Sequence, residues 1–248
     1  MKTVELWRRL RRVRDAVVGR LLAPVARTEV AGVRLALDHP ALDPAVRYLI
    51  WRGWERDDVP LLARLVRPGD VVLECGAGIG FLALQAMRRL GAARYVGVEA
   101  DPTLLDLVRA NFALNGLPPP ELHHAALAAG DGPVRFWRSR RLWSSSLLRA
   151  RADAEPVTVP GIRLATLLDR LAGEGVVPDV LVLDVEGAEV TVPPADLARV
   201  PRVLVELHPA VVGAARARAW LEAVREAGFV EVARVRETRA LVRRPLET

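Results

Sequence analysis

A chain of 248 residues, 51% of them apolar, is long enough to bury one main core and a small appendage. Its one cysteine, Cys75, excludes a disulfide framework and a cysteine-built zinc cluster, which points to a reducing, cytoplasmic setting. The net charge of +6 is concentrated in residues 1–20, where Lys2, Arg8, Arg9, Arg11, Arg12, Arg14 and Arg20 face only Glu5 and Asp15, so a basic groove for nucleic acid is not implied elsewhere.

In that basic arm Leu6, Leu10, Val13, Val17 and Leu21 recur at spacings of three and four, the period of an amphipathic helix. The expected role is packing on the domain or on a second subunit; contact with a membrane surface through residues 1–20 is the less favoured reading. Arg20 interrupts an apolar stretch too short for a signal peptide, and no run approaches membrane-spanning length. Residues 28–38 alternate like a strand or hairpin, and 44–66 read as helical segments, so 1–66 form an N-terminal helical and strand extension before a main region of 67–248.

From the turn "RPGD" at 67–70 onward, strand and helix signals alternate without a break. Strands are expected at 70–75, 94–99, near 121–126, 178–184 and 202–207, with helices at 79–90, 102–115, 163–172 and 212–227. Such a series gives a mostly parallel sheet covered on both faces. Two strand-like runs after residue 228, joined by a tight turn at Glu237 and Thr238, add an antiparallel hairpin at the sheet edge. Residues 131–160 are the least regular part and read as loops.

Ligands of open parallel sheets bind beyond the carboxyl ends of the strands, and three strands here end in acid: Glu74, Glu99 and Asp184. In "VVLECGAGIG" (71–80), glycines at 76, 78 and 80 permit a sharp turn and close approach of a ligand to the backbone, with helix N–H groups beyond. Glu99, nineteen residues past Gly80, can accept hydrogen bonds from both hydroxyls of a ribose. The ligand expected is a nucleoside derivative. Spacing leaves NAD and S-adenosylmethionine both open, because a dinucleotide fingerprint is met from Gly78 through Gly80 to Ala83. Against NAD stands Glu74, which would repel a pyrophosphate.

Taken whole, acid-x-Gly-x-Gly-x-Gly resembles the first motif of the class I S-adenosylmethionine-dependent methyltransferases. The later motifs narrow the resemblance to the FkbM family: "VGVEADP" stands at its ribose motif, "NFALNG" at its asparagine-bearing helix end, and "VLVLDVEGAEV" close to its hallmark segment. "LVELHP" at 204–209 completes the order. Departures are Cys75, Ala100 where proline is common, and Val182 where many members have lysine. The resemblance implies an α/β Rossmann-like class I methyltransferase fold with a mostly parallel seven-stranded sheet, helices on both faces and an antiparallel C-terminal hairpin. It also implies methyl transfer from S-adenosylmethionine, usually to a hydroxyl of a sugar, glycan or secondary metabolite. The partner expected is thus a small-molecule or carbohydrate acceptor, with no nucleic acid.

By the same resemblance the cofactor would be met by Glu74, Cys75, Gly76, Ala77, Gly78, Gly80, Glu99, Ala100 and Asp184. Ala126, Leu127 and Asp131 are assigned to the adenine end by position alone. His123 and His124 are read as strand residues. Deprotonating a hydroxyl calls for a base, and the candidates at the later strand tips are His208, Asp184 and Glu186, with Glu206 on the same side as His208 by strand alternation. His208 suits this role because an imidazole accepts a proton near neutral pH without a large shift. Asp184 can instead orient the cofactor's amino group, and Glu186 can fix the loop carrying Gly187. Those three residues would also offer a metal oxygen and nitrogen ligands, but spacing defines no geometry and the chain is read as using none. Trp137, Trp143, Ser144, Ser145 and Ser146 are candidates for acceptor contacts. The alternatives are a nucleic-acid or protein methyltransferase and a cofactor-binding module without transfer activity. The amino-methylating kind commonly carries an Asn/Asp-Pro-Pro-aromatic segment where "DVEG" stands here.

Overall fold

A computed structural model of the chain describes residues 13–139, 147 and 154–244. After a helical stretch over 13–21 comes a hairpin of β1 (Arg27–Val30) and β2 (Val33–Ala36), turning on Ala31 and Gly32. Both turn residues have positive φ, the geometry that matches strand twist in a two-residue loop. Two helices follow, α1 (Pro44–Trp51) and α2 (Val59–Leu65); the Asp43 side chain accepts from Val46 N and so caps α1.

The central region runs β3 (Val71–Cys75), α3 (Phe81–Leu84) continuing into a π-helical turn at Gln85–Arg89, β4 (Arg94–Glu99), α4 (Pro102–Leu114) and β5 (Glu121–His124). Next come β6 (Ala126–Leu127), β7 (Gly132–Ser139), β8 (Ala154–Ile162) and α5 (Leu164–Gly173). The chain closes with β9 (Val180–Leu183), β10 (Arg202–Glu206), α6 (Ala214–Glu226), β11 (Phe229–Val235) and β12 (Thr238–Arg243).

Seven strands form one sheet in the order β11-β12-β10-β9-β3-β4-β5. The five from β10 to β5 are parallel, and the C-terminal hairpin adds antiparallel β12 and β11 at one edge. The strand order reverses at β3, which places a crevice at its carboxyl end. Alternation along β3 sends Val72 to one apolar layer and Leu73 and Cys75 to the other. The N-terminal extension belongs to the first layer: Leu35, Ile50, Leu62 and Leu65 are buried with Phe81, Leu107 and Phe112. It therefore covers this face of the sheet together with α3 and α4.

Residues 131–160 are where the structure departs most from expectation. In place of loops, β7 and β8 form a long antiparallel ribbon, joined by β6 into a three-stranded sheet. Phe136 and Val159 pack with Ala100 and Ala126 beneath it, so the alternation of "VRFW" and "PVTV" was a strand pattern with one buried face. The third strand correspondingly ends at His124. Trp143, Ser144, Ser145 and Ser146 lie outside the described residues, as do residues 1–12 of the arm. Over 13–21 the helix packs through Gly19, whose added Cβ would meet the Pro44 carbonyl at 1.5 Å. Val13, Val17 and Leu21 stay 56%, 47% and 73% exposed, so these three residues of the stripe do not pack on the domain, one of the two packings expected for it.

Two polar devices tie the layers together. At the amino ends of the strands, Arg202 bonds Asp70 with both guanidinium nitrogens, at 2.6 and 2.9 Å, and also donates to Leu65 O; both side chains are 9% exposed. On the extension's side, Asn111 accepts from Ala36 N at 2.8 Å and donates to Ile79 O at 2.8 Å. Asn115 pairs with both backbone groups of Arg34, at 2.9 and 2.7 Å. The "NFALNG" segment thus clips the hairpin to the glycine turn.

Arg202→Ala should lower stability by about 3–5 kcal/mol in a denaturant titration, because it strands a buried carboxylate. Burial alone would raise the Asp70 carboxyl, but Arg202 and the Arg67 N–H hold it below the ordinary range. Its contribution is therefore complete above the unfolded value of about 3.9 and fades as pH falls through the lower folded one. The wild type should lose more stability than Arg202→Ala on acidification below about pH 4. Asn111→Leu should cost about 2 kcal/mol by leaving Ile79 O and Ala36 N unpaired, with faster hydrogen exchange at Ala36 as the local sign.

Candidate active site

The carboxyl ends of β3, β4, β9 and β10 open on two cavities that share a wall. The inner one, of about 750 Å³, lies against Gly76, Gly78 and Ile79 of the glycine turn, Glu99 and Ala100 past β4, and an apolar side of Leu104, Ala126, Leu127 and Phe136. The outer cleft, of about 1700 Å³, is lined by Arg52–Asp58, Glu206, His208, Arg236 and neighbouring residues. Trp54, Glu55, Asp184 and Glu186 line both.

The three glycines serve different ends. Gly76, at φ 89°, lies so close to the Asp184 carbonyl that a Cβ would come within 1.7 Å of it, and at Gly80 a Cβ would meet Val108 at 3.0 Å. Gly78 also has positive φ, 53°, yet a Cβ there meets nothing within 4 Å because the space beyond is the inner cavity. The turn is held by Val98 O, which accepts from Gly76 N and Ala77 N at 2.9 and 3.2 Å. Glu99 completes it, accepting from Gly78 N at 2.9 Å and from Asp101 N at 2.8 Å. Burial lifts this carboxyl to about 7 against those donors. Each carboxylate oxygen keeps a further lone pair, enough for a pair of ribose hydroxyls.

These residues fit S-adenosylmethionine better than a dinucleotide. Among the described residues lining the inner cavity are four carboxylates, Glu55, Glu99, Asp184 and Glu186, and no arginine, lysine or histidine. A sulfonium and an ammonium are attracted by such a wall, whereas a pyrophosphate would find no counter-charge. Glu99 would hold the ribose, the Gly78 backbone the methionine portion, and the slot of Leu104, Leu127 and Phe136 the adenine.

Of the residues assigned to the cofactor, Gly76, Gly78, Glu99, Ala100 and Asp184 line this cavity. Glu74 and Ala77 sit behind the turn in a smaller hollow of about 380 Å³. There Glu74 accepts from Tyr95 Oη at 2.6 Å, and burial raises its carboxyl to about 8. The Cys75 side chain points to the opposite apolar layer and is fully buried, which pushes its thiol up; only its backbone reaches the site, by accepting from Asp184 N. Gly80 caps α3 rather than lining the cavity. Asp131 is away from the adenine slot, because its two oxygens accept from Arg163 N and Thr166 Oγ1 at the start of α5.

The turn after β9 carries the acidic wall. Glu186 at φ 53° and Gly187 at φ 107° bend the chain sharply, and the buried Glu189 reaches back to Gly187 N at 2.8 Å. Its other oxygen takes the His208 N–H at 2.8 Å and lies 3.2 Å from Nδ1, which fixes the ring. His208 Nε2 then stands 3.6 Å from Asp184 Oδ1 and 3.6 Å from Glu186 Oε2. Burial raises Asp184 and Glu206 to about 7 each, Glu206 helped by the charge of Asp184. For His208 burial works downward, but Glu189, Asp184 and Glu186 outweigh it and carry the ring to about 10. The expectation of an unshifted imidazole is not met: at neutral pH this ring is a cation among carboxylates.

Sequence reading missed Glu189, Trp54 and Glu55. Glu189 lay inside a quoted motif, and its burial was its only distinguishing property. Glu55 sits in a left-handed turn, φ 64°, within a stretch read as helical, and burial holds its carboxyl well above the ordinary range. No local pattern marks it.

A ribosomal protein L11 methyltransferase of Thermus thermophilus is 35% identical over 113 residues, covering 36% of this chain and 44% of its own. A release factor glutamine methyltransferase of Deinococcus radiodurans is 32% identical over 138 residues, 55% of this chain and 47% of its own. The chain therefore spans less than half the length of these curated relatives. A crystal structure of a ribosomal protein L11 methylase from Lactobacillus delbrueckii subsp. bulgaricus aligns with a TM-score of 0.47 at 16% identity, over 77% of this chain and 78% of that one. The model of the methyltransferase FkbM domain matches residues 74–231, well over half of the sequence. The chain belongs to the methyltransferase FkbM domain family, and its cofactor is S-adenosylmethionine.

Proposed function

We propose that the protein methylates a hydroxyl oxygen of a small or carbohydrate acceptor held in the outer cleft. One observation carries this reading: the donor cavity and the outer cleft meet at a single wall of Trp54, Glu55, Asp184 and Glu186. An acceptor entering from the cleft meets the donor at that wall. Bound S-adenosylmethionine supplies an electrophilic methyl whose carbon–sulfur bond breaks, the electron pair staying on sulfur, as the acceptor oxygen–carbon bond forms.

The chain's own task is then positioning, exclusion of water and removal of one proton. Carboxylates accept hydrogen bonds and sugar hydroxyls donate them, so the cleft lining of Glu55, Asp57, Asp58, Asp184, Glu186 and Glu206 is matched to a polyhydroxylated ligand. Trp54 offers an apolar face for a sugar ring. Asp184, Glu186 and His208 hold the acceptor oxygen at the wall, and Glu206, which lines the cleft two residues from His208, takes the hydroxyl proton. The same acids disfavour a nucleic acid, since three arginines, Arg52, Arg56 and Arg236, face six carboxylates.

The carboxylate excess also favours a second reading, an amine acceptor, in keeping with the protein-methylating relatives named above. Mass spectrometry of the product decides between them by locating the new methyl on oxygen or on nitrogen. Retention on oxygen supports the first reading, and a methyl found only on nitrogen refutes it.

S-adenosylmethionine and its demethylated product should raise the melting temperature of the purified chain. Gly78→Val should abolish that shift, because the side chain fills the cavity beyond the turn, and Glu99→Gln should weaken donor affinity roughly tenfold or more. Stabilisation by NAD in their place would overturn the cofactor assignment to this cavity. His208→Ala should keep the donor-induced shift and lower turnover by about 10²-fold or more; unchanged turnover would remove His208 from the mechanism.

A further inference from the structure

The wall between the cavities is built like a cation site. We propose that Asp184, Glu186 and His208 bind a divalent cation of the magnesium or manganese class, on which the acceptor's oxygen is held; this rests on the donor and acceptor cavities assigned above.

Each of the three residues offers one ligand atom, and those atoms all lie within 4.8 Å of one another. The 3.6 Å from His208 Nε2 to either carboxylate is too long for a hydrogen bond. It matches the spacing of neighbouring ligands around one ion, about 3–4 Å when each stands about 2.1 Å from it. A second observation is independent of that spacing: Asp184 Oδ1 is buried and has no hydrogen-bond partner, so its lone pairs face the cluster unused. Such an orphan acceptor is unfavourable unless something positive completes it.

The ring of His208 is oriented for ligation. Glu189, fully buried, engages Nδ1 at 3.2 Å while its other oxygen is tied to Gly187 N, so Nε2 is turned toward the two carboxylates, where an ion would take the place of its proton. A carboxylate behind the distal nitrogen is the usual support of a metal-bound imidazole. Two carboxylate oxygens with one imidazole suit magnesium or manganese rather than a thiolate-seeking ion. Three protein ligands leave about three positions of an octahedron for water and the acceptor, room for an adjacent pair of hydroxyls. An oxygen bound there gives up its proton more readily, which is the step an alcohol acceptor needs.

The test is a manganese titration of the full chain with S-adenosylhomocysteine present, followed by the loss of the free-ion signal in electron paramagnetic resonance. The expected result is one manganese per chain, displaced by excess magnesium, with Glu186→Gln and His208→Ala each weakening it tenfold or more. His208→Ala, at a residue that lines only the outer cleft, should keep the melting shift given by S-adenosylhomocysteine, which shows that this variant is folded with its donor cavity intact; for Glu186→Gln an unchanged far-ultraviolet circular dichroism spectrum shows the fold. A wild-type chain that shows that shift but takes up no manganese overturns the cation site alone, as do variants that bind the ion like the wild type. Absence of the shift in the wild type would instead refute the donor assignment.

Discussion

The carboxylate of Glu99 is the constraint on which the rest of the site depends. It joins the glycine turn to the start of α4 through two backbone N–H groups, and it does so at the tip of the strand next to β3. Neither the turn nor the helix can shift without breaking one of these bonds. The same group faces the inner cavity, so the residue that sets the shape of the turn is also the one that, in the function proposed, would hold a ribose. Structure and recognition are carried by one side chain.

Around this point the fold concentrates negative charge to an unusual degree. Burial raises Glu55, Glu74, Glu99, Asp184 and Glu206, which means that each is held where its charged form is disfavoured. The arrangement persists because each is either answered by a donor, as Glu74 is by Tyr95, or faces a space that a cation can enter. His208 brings a basic group among them, and Glu189 fixes it there. Left-handed backbone at Glu55 and Glu186 brings two of the wall's carboxylates into place; at a non-glycine residue this costs about 1–3 kcal/mol. Strain and like charge are both spent on the same few ångströms, the wall shared by the two cavities.

The fold was legible where one element has one environment. The strands at 94–99 and 202–206, buried on both faces, read as continuous apolar runs, and the acids Glu74, Glu99 and Asp184 at the ends of β3, β4 and β9 were read from the sequence. The ribbon at β7 and β8 was not read, because its pattern of Val134, Phe136, Val157 and Val159 is diluted by arginine and proline on the open face. Of the residues named from the sequence, Gly76, Gly78, Glu99 and Asp184 line the inner cavity, and all four lie in the glycine turn or at a strand tip. What acts through long-range burial was not visible, since Glu55 arrives from a turn far upstream and Asp131 is drawn away by a helix start it was not known to cap. Whether His208 is neutral or charged depends on three carboxylates brought in by folding, and no local pattern carries that information.

The extension before residue 67 has a consequence for how the protein can be divided. Its helices and hairpin share an apolar layer with α3 and α4, and the segment between α1 and α2 supplies Trp54 and Glu55 to both cavities. A fragment cut at the start of the motif-bearing region would keep every recognisable segment and still be open along one side. Both cavities are completed by a segment that lies before the stretch matched to the family.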